Sequence, residues 1–531
     1  MAERRRARAL SAALSAAHSG ALPRLLPLAA AAMLLAAPAS HAQWTVTPAV
    51  NISETWSDNS QLRDDDLAVS QFVTSVRPSL AITGRSRRLN VNVLAAWDQY
   101  AYSKRDEMTR PADNQRRYSA NLQGTLVDQL LYVDASAYRS RRNVVAFGPG
   151  GVDNPYSNDN ATDVESWSVS PYLVHRFGRD ATMQVRYTRD SIDGGTRNGF
   201  GPSSGDTFLV NLGNGASLRS LGWSLNYYRQ DLDNRLTGAS SSELANGSLR
   251  YQFSRVWAAT ATAGYDTYDF EGPGPDNKGH SWSVGGVWTP SLRTSVQASI
   301  GRHLYGQTGS LAATLRSRRS AWELVYSDAI TSSRSQFMVP STIDTASMLD
   351  RLFNAIIPDP VARERAIADY MLANGLPVGV AESVFYLSNR YARQKELRGS
   401  FAYRYAHGTA LLSAYRSERI ALSDQQSDSP ILGTELASLN NNIRQRGVNA
   451  SLVYRLNGRS NLTGGANYRY SQSLTTGIES EQNELYVRIS RELGRHVNSS
   501  LEVRRRNGNT DFAGRRDYTE NALIANLNMS Y

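Results

Sequence analysis

From Gln43 onward, apolar and polar positions alternate with a period of two in segments of about ten residues, the length a tilted β-strand needs to cross a bilayer. Leu89, Val91, Val93, Ala95 and Trp97 line one face of such a segment, with Asn90, Asn92 and Asp98 on the other. Leu221, Trp223, Leu225 and Tyr227 repeat the pattern. So do Val448, Ala450, Leu452, Tyr454 and Leu456, and Leu462, Gly464, Ala466, Tyr468 and Tyr470. In Trp257, Ala259, Ala261, Ala263 and Tyr265 the stripe ends on an aromatic residue at each side, as expected where a strand enters and leaves hydrocarbon.

The links between segments alternate as well. Short ones, such as 127–129, 177–180, 406–408 and 493–496, take turns with long Gly, Asn, Asp and Ser-rich stretches at 143–163, 193–206, 269–280 and 420–441. Tight turns on one side and longer loops on the other characterise transmembrane barrels, with the turns periplasmic and the loops extracellular. A row of soluble β-sandwiches has no reason to alternate in this way. The expected fold is therefore all-β, a transmembrane antiparallel barrel of about 22 strands, within a range of about 18 to 24. An even number returns the final strand to the side on which the first began.

The lapse in alternation between the segments near Trp322 and Lys395 predicts a helical insertion over 334–386. Thr345, Met348, Leu349, Leu352, Phe353 and Ile356 recur at helical spacing; Pro358 and Pro360 break the chain, and a second stripe carries Ala366, Ile367, Tyr370 and Met371. Strand parity makes the insertion leave from the extracellular rim. Two placements stay open: a cap packing on its own loops, or a lid that folds into the lumen with Leu349, Leu352, Phe353, Ile367, Tyr370 and Met371 as its apolar surface.

Residues 1–42 read as an export signal. Arg4, Arg5, Arg6 and Arg8 precede an apolar core from Leu25 to Ala37, and Ser40-His41-Ala42 supplies the small residues of a cleavage site. The barrel then occupies 43–531. The segment holds five arginines and one glutamate, so its removal lowers the formal charge from +10 to +6. A strongly basic nucleic-acid binder is not indicated.

Cysteine is absent, which excludes disulfides, thiolate metal sites and cysteine nucleophiles. Of the five histidines after residue 42, His175, His407 and His496 fall at or beside predicted turns, and His280 next to Ser281 lies on a strand whose adjacent side chains point to opposite faces. No phosphate loop or metal-ligand spacing occurs, and Asp64 to Asp66 read as a solvated loop. The expectation is a non-enzyme with no cofactor and no metal. Arg455, Arg469, Arg488, Arg504 and Arg506 fall on the predicted lumen face, where they would either conduct an anion or pair with acidic neighbours such as Glu502 to stiffen the wall.

At the end of the chain Leu527, Met529 and Tyr531 alternate and the sequence stops on an aromatic residue, which resembles the C-terminal signal read by barrel-insertion machinery. Four further stretches, Trp44 to Asn59 (WTVTPAVNISETWSDN), Val76 to Leu80 (VRPSL), the insertion around Arg351 to Gly375, and Arg516 to Asn521 (RDYTEN), resemble the outer-membrane barrels associated with the PEP-CTERM and exosortase system. That resemblance implies a place in the outer membrane and a link to exopolysaccharide export or surface assembly. The partners it implies are outer-membrane lipid and lipopolysaccharide, the insertion machinery, exopolysaccharide and periplasmic export components. A pore partly closed by the helical insertion is the leading expectation; a non-conducting scaffold or a general porin is the alternative.

Overall fold

The computed structural model describes residues 43–104, 111–149, 155–158, 160–194, 202–215, 220–235, 238–270, 278–332, 391–422, 442–511 and 516–531, together with nine positions between 349 and 371. Residues 1–42, expected to be an export signal, and most of the expected 334–386 insertion lie outside the described residues.

Twenty-two strands form one sheet. The first six are β1 (Gln43–Ser57), β2 (Gln71–Arg85), β3 (Leu89–Tyr102), β4 (Asn114–Val127), β5 (Leu131–Asn143) and β6 (Ala161–Phe177). They are followed by β7 (Ala181–Asp193), β8 (Pro202–Asn214), β9 (Leu221–Asn234), β10 (Gly238–Gln252), β11 (Trp257–Phe270) and β12 (Lys278–Ser291). Next come β13 (Thr294–His303), β14 (Gly306–Arg316), β15 (Ser320–Ser332), β16 (Tyr391–Tyr405) and β17 (Gly408–Ala421). The last are β18 (Asn442–Asn457), β19 (Ser460–Ser473), β20 (Glu479–Gly494), β21 (Val497–Thr510) and β22 (Arg516–Ser530). Each strand pairs antiparallel with its neighbour in sequence, and β1 pairs with β22 from Ala49↔Ser530 to Ser57↔Ala522. That last pairing closes the barrel and removes the free edges that an open sheet would expose.

Alternation assigns the faces. On β18 the exposed large apolar residues are Val448, Leu452, Tyr454 and Leu456, while Ile443, Gln445, Ser451 and Val453 are buried. The first set faces outward and forms part of an apolar belt that continues through Leu485, Val487, Leu501, Val503 and Leu523. A contiguous exposed apolar surface of this kind is stable only against lipid. Its height is consistent with that. Outward Tyr454 and Arg446 lie eight residues apart on β18, or ~27 Å along the strand and ~20 Å along the barrel axis at the usual tilt, near the ~25 Å of a barrel's apolar band.

The start of β1 and the end of β22 lie on the side of the short links, hereafter the turn side; the opposite rim is the loop side. The loop-side links are less uniform than the sequence pattern implied. Two of them, 235–237 and 304–305, are as short as turns, and β8 and β12 begin inside stretches expected to be loop, at Pro202 and Lys278. Polar side chains on strand ends above the membrane satisfy water on both faces, so strand and loop look alike in sequence there. The acidic run at Asp65–Leu67 forms a 3₁₀ turn, and the Asp65 carboxylate accepts a 2.6 Å hydrogen bond from the Thr519 backbone, fastening the first loop to β22.

One turn depends on a missing side chain. At Gly408, which follows the 406–407 turn, a Cβ would collide with the Val453 carbonyl oxygen of the neighbouring strand. Backbone cannot retreat from such a clash without breaking the β17–β18 ladder. Gly408→Val is expected to lower the yield of heat-modifiable, folded barrel in refolding assays severalfold, whereas Gly458→Val, at a turn glycine with open space around it, leaves the yield near that of the parent.

Candidate functional site in the barrel lumen

The lumen is lined by polar side chains and filled from within by segments of the same chain. The five arginines read from the sequence all point inward by strand alternation, on β18 (Arg455), β19 (Arg469), β20 (Arg488) and β21 (Arg504 and Arg506). Three of them belong to a carboxylate network. Arg488 Nε donates to Glu502 at 2.7 Å, Arg506 Nε donates to Glu484 at 2.9 Å, and Arg504 and Arg506 reach Glu520 at 3.4 and 3.5 Å. Glu520, 1% exposed, also accepts the Ser57 hydroxyl at 2.9 Å across the β1–β22 seam. For these three the stiffening role is the one the geometry supports. Arg469 lines a small polar cavity with Ser471, Ser480 and Gln482, and Arg455 is exposed near the turn side.

A second clamp lies on β2 to β4, where fully buried Asp98 holds Arg77 and Arg117, the latter through bonds of 2.6 and 3.1 Å. A buried carboxylate is stable when paired and hydrogen-bonded on both oxygens. These ladders make the inner wall rigid where its lipid-facing side contributes no polar bonds.

The loop between β5 and β6 folds inward. Phe147 is fully buried with Ala146 against Ile443 of β18 and Ile478 of the β19–β20 link. Gln482 Nε2 donates to the Gly148 carbonyl at 2.8 Å, while at the other end of the loop the Tyr156 hydroxyl meets Thr55 of β1 at 2.9 Å. Gln61 and the Ala112 amide both donate to the Tyr156 carbonyl at 3.0 Å. Burial raises the pKa of the Tyr156 hydroxyl above its ordinary range. Asn160 gathers the loop by donating to the carbonyls of Val145, Phe147 and Pro149. One loop is thereby fastened to β1, to the β3 side and to β20, across the loop-side half of the lumen.

The described residues of the insertion lie in the other half. Among its described residues, Leu349, Asp350, Leu352, Phe353, Arg363, Ala366, Ile367, Tyr370 and Met371 have helical backbone conformation. Leu349, Leu352 and Ile367 are buried in one cluster with Ala402, Leu411 and Val453, and Phe353, Tyr370 and Met371 pack against it. Ala402, Leu411 and Val453 are inward-facing residues of β16, β17 and β18 close to the 406–407 turn. Tyr370 confirms the height, its hydroxyl lying 2.9 Å from that of Thr409, the second residue of β17. Although the insertion springs from the loop-side rim, its apolar residues thus meet the wall near the turn side. All six lid residues read from the sequence come together here, inside the lumen.

What aims the insertion inward is its stem. The outward faces of β15 and β16 carry Asp328, Ile330, Tyr391 and Arg393 at their loop-side ends. Tyr391 nevertheless packs with Leu232 and Tyr268, which face inward on β9 and β11, and with Leu304 and Tyr305 at the tip of the short β13–β14 hairpin. An outward residue reaches inward ones only if the stem leans over that hairpin into the mouth. Arg393 fixes the lean, donating to Asp328 at 2.7 and 2.8 Å and to the Tyr305 carbonyl at 3.1 Å. The short 304–305 link is therefore a notch through which the stem enters.

The sequence reading missed the β5–β6 loop and the leaning stem. Phe147 and Tyr156, large aromatics in an otherwise Gly, Asn and Asp-rich stretch, were the available signal. Leu527, Met529 and Tyr531 lie on the outward face of the final strand, Tyr531 stacking on His496 with ring centroids 6.0 Å apart. Among the described residues no group of acidic or histidine side chains is placed to hold a metal ion.

No family model matches the chain, and no curated protein matches it. Among solved structures it is similar to the FrpB iron transporter from Neisseria meningitidis (F3-3 variant), with 11% identity over 91% of this chain and 81% of that one and a TM-score of 0.47. It is also similar to the siderophore receptor PirA from Pseudomonas aeruginosa, with 10% identity over 92% and 80% and a TM-score of 0.39. OccAB4 from Acinetobacter baumannii matches with 10% identity over 92% and 99% and a TM-score of 0.32.

Proposed function

We propose that the protein is an outer-membrane conduit held closed at rest by its own helical insertion, reached after removal of residues 1–42 and working in the export of an extracellular polysaccharide. The observation that carries the closed-conduit reading is the burial of Leu349, Leu352 and Ile367 on inward-facing Ala402, Leu411 and Val453. Apolar side chains pointing into a polar lumen have no use in a plain pore, and here they form a matched seat for a separate element. The outward apolar belt on a closed barrel of 22 strands supports the outer membrane as its location. The sequence resemblance to exosortase-associated barrels supports polysaccharide as the cargo class.

The test is single-channel conductance of residues 43–531 in a planar bilayer, with and without residues 344–375. The parent is expected to be mostly silent and the shortened chain to give steps at least threefold larger or more frequent. The fastening of the β5–β6 loop at Thr55 and Gln482 favours a rival, a non-conducting surface scaffold. Two silent, demonstrably folded chains would establish that rival. A defect confined to growth on particular solutes in a deletion strain would point to a general porin instead.

A further inference from the structure

We infer that the turn-side mouth is an entry surface for a polyanionic polysaccharide, one bearing carboxylate, sulfate or phosphate groups along its chain. This rests on the conduit reading and specifies its cargo.

The two rims of the barrel carry opposite charge. Eight of the ten turn-side links contain arginine, ten arginines in all, against two aspartates, Asp128 and Asp180. The loop-side links other than the 333–390 insertion hold 15 carboxylates against seven basic residues. A modest net charge therefore conceals a strong separation along the barrel axis. Asp128 is taken by Arg87 and Arg88 at 3.6 and 3.1 Å. Arg255, Arg293, Arg318, Arg319, Arg459 and Arg495 are exposed and form no ion pair among the described residues.

Anionic lipid headgroups around the wall would also attract such a ring, but the charge does not stop at the rim. Within two residues of the turn-side strand ends, Arg85, Arg176, Arg250, Arg316, Arg404 and Arg455 occupy inward-facing positions, against a single inward carboxylate, Glu492. Lipid cannot reach the lumen. A flexible polymer that enters it can, and a basic rim continuing into a basic throat concentrates and guides an anionic chain by long-range attraction. Arginine suits the task because its planar fork binds carboxylate, sulfate and phosphate with two parallel bonds. Further in, the network of Arg488, Arg504 and Arg506 with their glutamates is locally neutral, so the polymer is attracted at the mouth without being held throughout.

The test is equilibrium binding of the full 43–531 chain, in nanodiscs of zwitterionic lipid, to polygalacturonate and to neutral dextran of equal length. Polygalacturonate is expected to bind at least tenfold tighter than dextran at low salt, and to weaken steeply as salt is raised. Replacing Arg293, Arg318, Arg319 and Arg459 with glutamine should lower that affinity at least tenfold, while Arg416→Gln with Arg446→Gln, outward at the loop side, should leave it unchanged. Equal binding of dextran, or an unaltered affinity in the turn-side variant, overturns the inference. So does a turn-side variant whose only change is lost enrichment of phosphatidylglycerol around the barrel, which would make the ring a lipid anchor. The conduit reading fails separately: a chain that binds polygalacturonate but stays silent without residues 344–375 is a polyanion receptor rather than a pore.

Discussion

Leu411→Glu is expected to open the pore without unfolding the barrel. Leu411 is 3% exposed and faces inward beneath the helices of the insertion. Its burial contributes about 1.5–3 kcal/mol to the closed arrangement, and a carboxylate in its place adds the cost of desolvating a charge among Leu349, Leu352, Ile367 and Val453. With the insertion displaced the same carboxylate sits in a water-filled lumen at little cost, so the penalty falls on closure alone. Bilayer recordings should show conductance approaching that of the chain lacking 344–375, with unchanged heat-modifiable migration. Leu412→Glu is the contrast, because Leu412 is 44% exposed on the outward face. There the charge meets hydrocarbon and should impair assembly while giving no increase in conductance.

Glu520→Ala is expected to produce the largest loss of stability of any lumen substitution. Glu520 joins Arg504, Arg506 and Ser57, and both arginines are largely buried. Removing it leaves two cations in a confined space with reduced compensation, for which measured losses run to about 3–5 kcal/mol when one partner of a buried pair is deleted. Because the Ser57 bond spans the β1–β22 seam, the loss should appear as easier opening of that seam. The temperature of the heat-modifiability transition should fall by several degrees at least. Glu520→Gln, which keeps an acceptor for Ser57, should lose less. A transition unchanged in both variants would show that the network contributes nothing to closure.

The strand train was legible because a lipid-facing and a water-facing surface must alternate residue by residue, and that constraint is local. Strand number and the inward orientation of Arg455, Arg469, Arg488, Arg504 and Arg506 follow from it, and the helical periodicity at Leu349 to Met371 stands out as the place where it lapses. What each inward group touches does not. Ser57 and Glu520 are 463 positions apart, and Gly148 and Gln482 are 334 apart. Their meeting is decided by ring closure and by the path of a loop through the lumen, which no periodicity records. The end of the lumen reached by the insertion was equally hidden. Leu411 and Val453 carry no distinguishing signal in the sequence, because beside a turn both faces of a strand carry mixed residues. Only the barrel geometry separates Leu411, which seats the insertion, from Leu412, which faces lipid.

The insertion is held at both ends by β15 and β16, and this sets the kind of gate it can be. A plug that is a separate partner is lost on dilution and must be recruited again. One tethered twice to the rim always faces its seat at a high effective concentration, so the balance between open and closed is independent of how much protein is present. On the conduit reading, reclosure is a property of the tethered chain itself. It needs only that the cargo leave. On that reading, a chain threading the lumen would compete directly with the insertion for the seat at Leu411 and Val453, and the same tether would return the plug once its last unit had passed.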